Sequence, residues 1–244
     1  MRCTSRAGIA ATLVALAVAV LVPASASAQA APACPATPTY DPAVPTPQSV
    51  LGFPLGIGQP QPVTSAQIFA YMQAVDAASD RVTSFDIGHS WRGHPMKVAI
   101  VSSSANMLPD RLKQIRRIHQ SLRADHGNRL SPDVAETLPA IVWLAGNVHG
   151  GEKSGADAEL QILYELASRT DCQVRDINDD VVAVILPTQN PDGRDASRRQ
   201  NDYGFDMNRD WFARTQPETD AKVELLREYP GQVFVDAHEM GGRR

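Results

Sequence analysis

Three cysteines in 244 residues are too few to staple a disulfide-built scaffold, so the fold must rest on an apolar core. The chain has no long basic run or stripe, and its formal charge is −4, which argues against nucleic acid as a partner. No apolar stretch reaches the roughly 20 residues that span a bilayer. No internal repeat is visible. What is present is 43% hydrophobic residues, enough for one sizeable core in a chain of this length.

The first residues carry Arg2 and Arg6, then an apolar run Ile9–Val22, a helix-breaking Pro23 and the small-residue pattern Ala26-Ser27-Ala28. That is the layout of a secretory leader, expected to span residues 1–28 and to send the chain to a secreted or periplasmic location. "AAPAC" lacks the leucine that precedes a lipid-modified cysteine, so no stable membrane association is expected. Cys3 leaves with the leader. Cys34 and Cys172 then meet an oxidising compartment, where they either pair or stay free. Residues 29–62 are proline-rich and read as an extended segment lying on the domain or linking to it. A single domain is expected over residues 63–244.

Regular patterning begins at Ser65, a candidate cap for the helix "AQIFAYMQAVDAAS". "RVTSFDIG" and "PMKVAIVSS" read as two strands joined by the turn "HSWRGH", and "DRLKQIRRIHQSLRADHG" as a basic amphipathic helix ending at Gly127. Three buried strands follow, "LPAIVWLAG", "DVVAVILP" and "GQVFVDAH", separated by helices near 155–168 and 217–229. The alternation predicts an α/β fold with an open mixed, mostly parallel sheet covered by helices on both faces. Sites in such sheets lie beyond the carboxyl ends of the strands.

The first of those strands runs into "HGGE". His149 and Glu152 offer an imidazole and a carboxylate within one turn, and the intervening glycines let the backbone bend so that both converge. The plainer reading is a solvated pair at a helix start, with Glu152 favouring the helix dipole. His238, 86 residues after Glu152, ends the last strand and is a candidate third ligand. "HEMGG" has no second histidine four residues on, so it is not a two-histidine zinc helix. Glu239 should point away from His238. "NPDG" (Asn190–Gly193) is a turn signal, with Asp192 a turn residue. The loop after it carries Arg194, Arg198, Arg199 and Arg209 beside Asn208, and guanidinium forks suit carboxylates and oxyanions. His89, His94, His119 and His126 are expected to face solvent.

Taken in order, "HGGE", "NPDG", "RRQNDYGFDMNRDW" and "DAH" resemble the zinc carboxypeptidases of the carboxypeptidase A type, over about Thr64 to Gly242. The resemblance implies a carboxypeptidase-like fold and one zinc ion held by His149, Glu152 and His238. It implies that Asn208 and Arg209 grip the substrate's C-terminal carboxylate. Arg199 matches the arginine that polarises the scissile carbonyl, with Arg198 the competing register. Asp206 resembles the carboxylate that orients the first zinc histidine. The implied activity is secreted, zinc-dependent hydrolysis of C-terminal peptide bonds by an activated water. The implied partner is a peptide or protein with a free C-terminus.

The family's general base is a glutamate on a later strand, and the sequence ends at Arg244, six residues after His238. The expectation is therefore a catalytic domain that is C-terminally incomplete, truncated before the general-base region and impaired in turnover. Two other readings stay open. One is a zinc deacylase or amidase acting on N-acyl amino acids. The other is a non-catalytic peptide-binding remnant.

Overall fold

The structure, a computed structural model, describes residue 34, residues 37–124 and residues 129–240. The expected leader at 1–28, His126 and the expected helix stop at Gly127 lie outside the described residues. Within them the strands are β1 (Val82–His89), β2 (Pro95–Val101), β3 (Ala140–Gly146), β4 (Val181–Leu186) and β5 (Val233–Ala237). The helices are α1 (Pro47–Leu51), α2 (Ser65–Ala78), α3 (Ser104–Met107), α4 (Pro109–Ala124), α5 (Pro132–Thr137), α6 (Ser154–Ser168), α7 (Cys172–Asp180), α8 (Pro191–Asp195) and α9 (Pro217–Glu228).

The strands form one open mixed sheet in the order β1-β2-β4-β3-β5. β1/β2 and β2/β4 are antiparallel, while β4, β3 and β5 run parallel. Alternate residues of each strand face opposite sides. Ala99 and Val101 of β2 thus join Ala183 and Ile185 of β4 on one face, under Ile68, Tyr71 and Met72 of α2 and Leu160 and Leu163 of α6. Val98, Ile100, Val182, Val184, Ile141 and Trp143 meet Ile115 of α4 and Leu225 of α9 on the other. Helices therefore cover both faces, as the alternating pattern predicts. No helix among the described residues is long and apolar enough to cross a membrane.

Several local expectations change. Thr64, not Ser65, caps α2, in a capping box with Gln67. Ser65 is the first helical residue, and its N–H donates to Asp195. The "NPDG" turn is the start of α8, with the Asn190 side chain accepting from the Gly193 N–H at 2.9 Å. His119, expected in solvent, is buried because it has partners there: Nε2 lies 2.8 Å from the Pro139 carbonyl and Nδ1 2.8 Å from Gln232 Nε2. β5, which reads as a buried strand, lies at the edge of the sheet among the described residues, with Val233, Phe234 and Val235 exposed by 51%, 37% and 43%.

The proline-rich segment lies on the domain. Val44, Leu51 and Val63 enter the core beneath α2 and α6, and the Tyr40 ring stacks on Tyr164 at 5.5 Å. Cys34 and Cys172 are joined in a disulfide with a Cα–Cα distance of 5.7 Å, fastening the segment to the start of α7.

Candidate metal centre

β3 ends at Gly146, and the chain turns at Asn147, which adopts φ 58°, a left-handed conformation that asparagine tolerates. Its side-chain amide donates to the carbonyls of His149, Gly150 and Glu152 at 2.9, 3.1 and 2.8 Å. Its side-chain oxygen accepts from Thr188 Oγ1 at 3.0 Å. The loop is thus wound around one buried amide. Gly150 is needed for space rather than for a bend: an added Cβ would fall 1.9 Å from the Gly193 carbonyl carbon of α8.

Wound this way, the loop turns His149 Nδ1 to within 2.7 Å of Glu152 Oε1. His238, just past the end of β5, places its own Nδ1 2.9 Å from Glu152 Oε2. One potential ligand atom from each of the three residues lies within 4.8 Å of the others. The remaining ring nitrogens face other carboxylates, His149 Nε2 at 3.1 Å from Asp206 Oδ1 and His238 Nε2 at 3.2 Å from Asp236 Oδ2. A neutral imidazole has one N–H. With it on Nδ1, each ring donates to Glu152; with it on Nε2, donated to the aspartate, each Nδ1 keeps a lone pair that a metal could take. Two imidazoles and a carboxylate are a donor set suited to zinc.

The electrostatics agree. Burial by itself would raise the Glu152 carboxyl, but the Glu239 N–H, His238 and His149 together hold it below the ordinary range. Asp206 is likewise held down against its burial by the Arg199 guanidinium, the Asn208 N–H and His149. Both stay anionic beside the imidazoles.

Cationic groups rim this constellation. Arg199 Nε donates to Asp206 Oδ2 at 2.9 Å, and its Nη1 lies 3.7 Å from Glu152. Arg198, the other register, instead turns to Asp202 at 2.6 Å. Arg209 is exposed, hydrogen-bonded to the Asn208 carbonyl at 2.9 Å and ion-paired with no carboxylate among the described residues. Asn208 Oδ1 accepts from the Trp211 indole N–H at 3.2 Å, and Asn208 Nδ2 lies 3.4 Å from His238 Nε2.

Other candidates fall elsewhere. Arg194 is fully buried in an ion pair with Asp157 and donates to the Val63 carbonyl, so it joins the N-terminal segment to α6. Asp192 is buried against Ser90, His94 and the Arg92 N–H, tying α8 to the β1–β2 turn. Glu239 sends its carboxylate to the Ser154 N–H at the start of α6, away from His238. A cleft of about 860 Å³ opens beside the triad, between the Leu55–Pro62 stretch and Lys153, Ser154 and Gln161.

Sequence reasoning missed Asn147, Asp236 and Gln189. Asp236 carried a usable signal, since residues two apart on a strand share a face and it stands two before His238. Asn147 and Gln189 carried none.

A family model described as zinc carboxypeptidase matches residues 68–242. The chain is 31% identical over 103 residues to Carboxypeptidase 2 of Trichophyton rubrum, covering 42% of this chain and 19% of that protein. It is 32% identical over 126 residues to human Carboxypeptidase D, covering 44% of this chain and 9% of that one. Its structure superposes on the carboxypeptidase A of Helicoverpa armigera with a TM-score of 0.55 at 18% identity, over 74% of this chain and 46% of that chain, a likeness of fold. The chain therefore spans less than half the length of these relatives. With its model matched across most of the sequence, the chain belongs to the zinc carboxypeptidase family.

Proposed function

We propose that this chain carries the metal- and carboxylate-binding half of a secreted zinc carboxypeptidase that releases residues from the free C-terminus of peptides. The observation that carries this reading is three converging ligand atoms with Arg199 held against them by Asp206 and Glu152, and with Arg209, ion-paired with no carboxylate among the described residues, following the Asn208 that stands by His238. In this reading His149, Glu152 and His238 hold one zinc ion. Bound there, zinc would act as a Lewis acid toward a carbonyl and lower the pKa of water.

The chain's own residues do the rest. Asp206 orients His149 through Nε2 and anchors Arg199 through its other oxygen. Arg199, so held, offers its terminal nitrogens to the oxygen of the scissile carbonyl, where charge develops. Arg209 takes the substrate's terminal carboxylate in a forked, charge-assisted contact. Asn208, fixed by Trp211, completes that grip. The Cys34–Cys172 disulfide supports an oxidising, exported setting, in keeping with the leader read at residues 1–28.

The test is binding and cleavage of one N-blocked dipeptide in two forms, free acid and C-terminal amide, by the zinc-loaded chain. Binding of the acid alone is expected. Equal binding of both forms would overturn the carboxylate grip. Cleavage of N-acyl amino acids without any of peptides would turn the reading to a deacylase. Saturable acid binding with no cleavage would leave the site as a peptide-binding one.

A further inference from the structure

Lys222 of α9 is fully buried and has no part in the chemistry just described. A buried ammonium is costly unless its protons are taken up. Two neighbours stand in contact with this one: Gln189 Oε1 at 2.7 Å and the Trp211 ring, whose centroid lies 3.4 Å from Nζ. Each leads back to the candidate centre. Gln189 Nε2 donates to Asp236 Oδ1 at 2.9 Å and to the Gly146 carbonyl at 3.2 Å. Asp236 Oδ2 then faces His238 Nε2 at 3.2 Å. On the other branch, the Trp211 indole N–H holds Asn208 Oδ1 at 3.2 Å.

A carboxamide has a donor end and an acceptor end, and an ammonium, the form Lys222 keeps below about pH 7, can only donate. Lys222 therefore locks the Gln189 amide from its oxygen end, while the Gly146 carbonyl and Asp236 take its NH₂, and only that way round does Asp236 meet a donor rather than an oxygen. Asp236, held by Gln189, keeps its other oxygen for the His238 Nε2–H, which leaves the Nδ1 lone pair directed at Glu152. We propose that Lys222 is a positioning residue: by orienting the Gln189 amide it sets, through Asp236, the tautomer of His238 that can bind a metal. The inference rests on reading His238 as a zinc ligand. Burial pulls the ammonium well down from its ordinary range, with Asp236 and Asp210 acting to keep it charged.

Two readouts test this on the full chain, both taken below about pH 7, where Lys222 keeps its proton. The first is zinc affinity by competition with a chromophoric chelator, for wild type, Lys222→Met, Gln189→Glu and the double variant Lys222→Met/Gln189→Met. Removing a group behind a ligating histidine costs roughly tenfold or more in metal affinity. Lys222→Met should lose about that much, and the double variant no more than that. Gln189→Glu is the discriminating change. It gives Lys222 a carboxylate partner, so the core should hold, yet it cannot donate to Asp236, so zinc affinity should fall by a similar factor. Unchanged affinity in Gln189→Glu, or independent losses adding in the double variant, would overturn the proposal. Val174→Ala on α7 serves as the control for general destabilisation.

The second readout is the His238 tautomer in the metal-free protein, from long-range proton–nitrogen NMR correlations. The Nε2–H form should dominate in wild type and give way to a mixture in Lys222→Met. An unchanged tautomer would overturn the proposal. Failure of wild type to take up zinc would overturn the ligand reading, and the NMR result would still decide the role of Lys222.

Discussion

Gly150 lies against Gly193 so closely that the two backbones meet with no room for a side chain between them. Gly151, next in sequence, has nothing nearer to a notional Cβ than the Ser197 carbonyl at 3.6 Å. Adjacent glycines in "HGGE" thus carry unequal loads. Gly150→Ala should push the His149–Glu152 loop off α8, costing about 3 kcal/mol and most of the zinc uptake. Gly151→Ala should stay within about 0.5 kcal/mol of wild type. Urea denaturation and zinc stoichiometry on both variants check this, and a tolerated Gly150→Ala would mean that the loop is not pinned there.

Arg209 has no carboxylate partner of its own among the described residues, so removing it should cost the fold little and the ligand much. Arg209→Met is expected to weaken binding of a free-acid peptide by at least about tenfold, the scale of a lost charge-assisted hydrogen bond. Binding of the amidated peptide should not change. Calorimetric titration of both peptides would expose a wrong assignment if the two lost affinity together.

Stability should carry the mark of Lys222. Burial lowers its pKa from 10.5 to about 7. Between those values the unfolded chain holds a proton that the folded chain has released, so stability rises with pH across the window. Below about pH 7 both states are charged and the cost of the buried cation is fully present. The difference in unfolding free energy between wild type and Lys222→Met should therefore move in favour of wild type as pH rises from 7 to 10, by on the order of a few kcal/mol. Urea titrations at steps of pH would show a flat difference if the lysine keeps an ordinary pKa.

The Cys34–Cys172 bridge closes a sequence separation of 138 residues. Cross-links that long restrict the unfolded chain most, and losing this one should cost about 2–4 kcal/mol. Thermal melts of Cys34→Ser against wild type measure it. An unchanged melting temperature in dithiothreitol would mean that Val44, Leu51 and Val63 hold the segment by themselves.

Much of this was legible because strand-to-helix switches leave periodic traces. The "IVW" run ahead of His149 and the "VFV" run ahead of His238 put both candidate ligands at strand ends, and matching the motif order brought in Asp206 and Arg199, which lie against His149 and Glu152. What the sequence hid was context. β5 has the composition of a buried strand, and only the sheet order among the described residues puts it at an edge. His119 sits on a charged helix, and only the approach of Pro139 and Gln232 makes burial affordable. Lys222 looks like any solvated lysine of an amphipathic helix until Gln189 and Trp211, from distant loops, close over it. α7, "CQVRDINDD", is polar enough to pass for a loop and is started by the Asp171 side chain.

Among the described residues β5 is laced to the sheet on one side only, by β3. The third candidate ligand, His238, follows directly from that strand, so the stiffness of the metal site is borrowed from the strand's fastening. Whatever hydrogen-bonds to the free edge of β5 would stiffen His238 as well. By reciprocity, a metal bound at His238 would draw such a partner in with the same free energy. Metal occupancy and the covering of that edge would then rise and fall together.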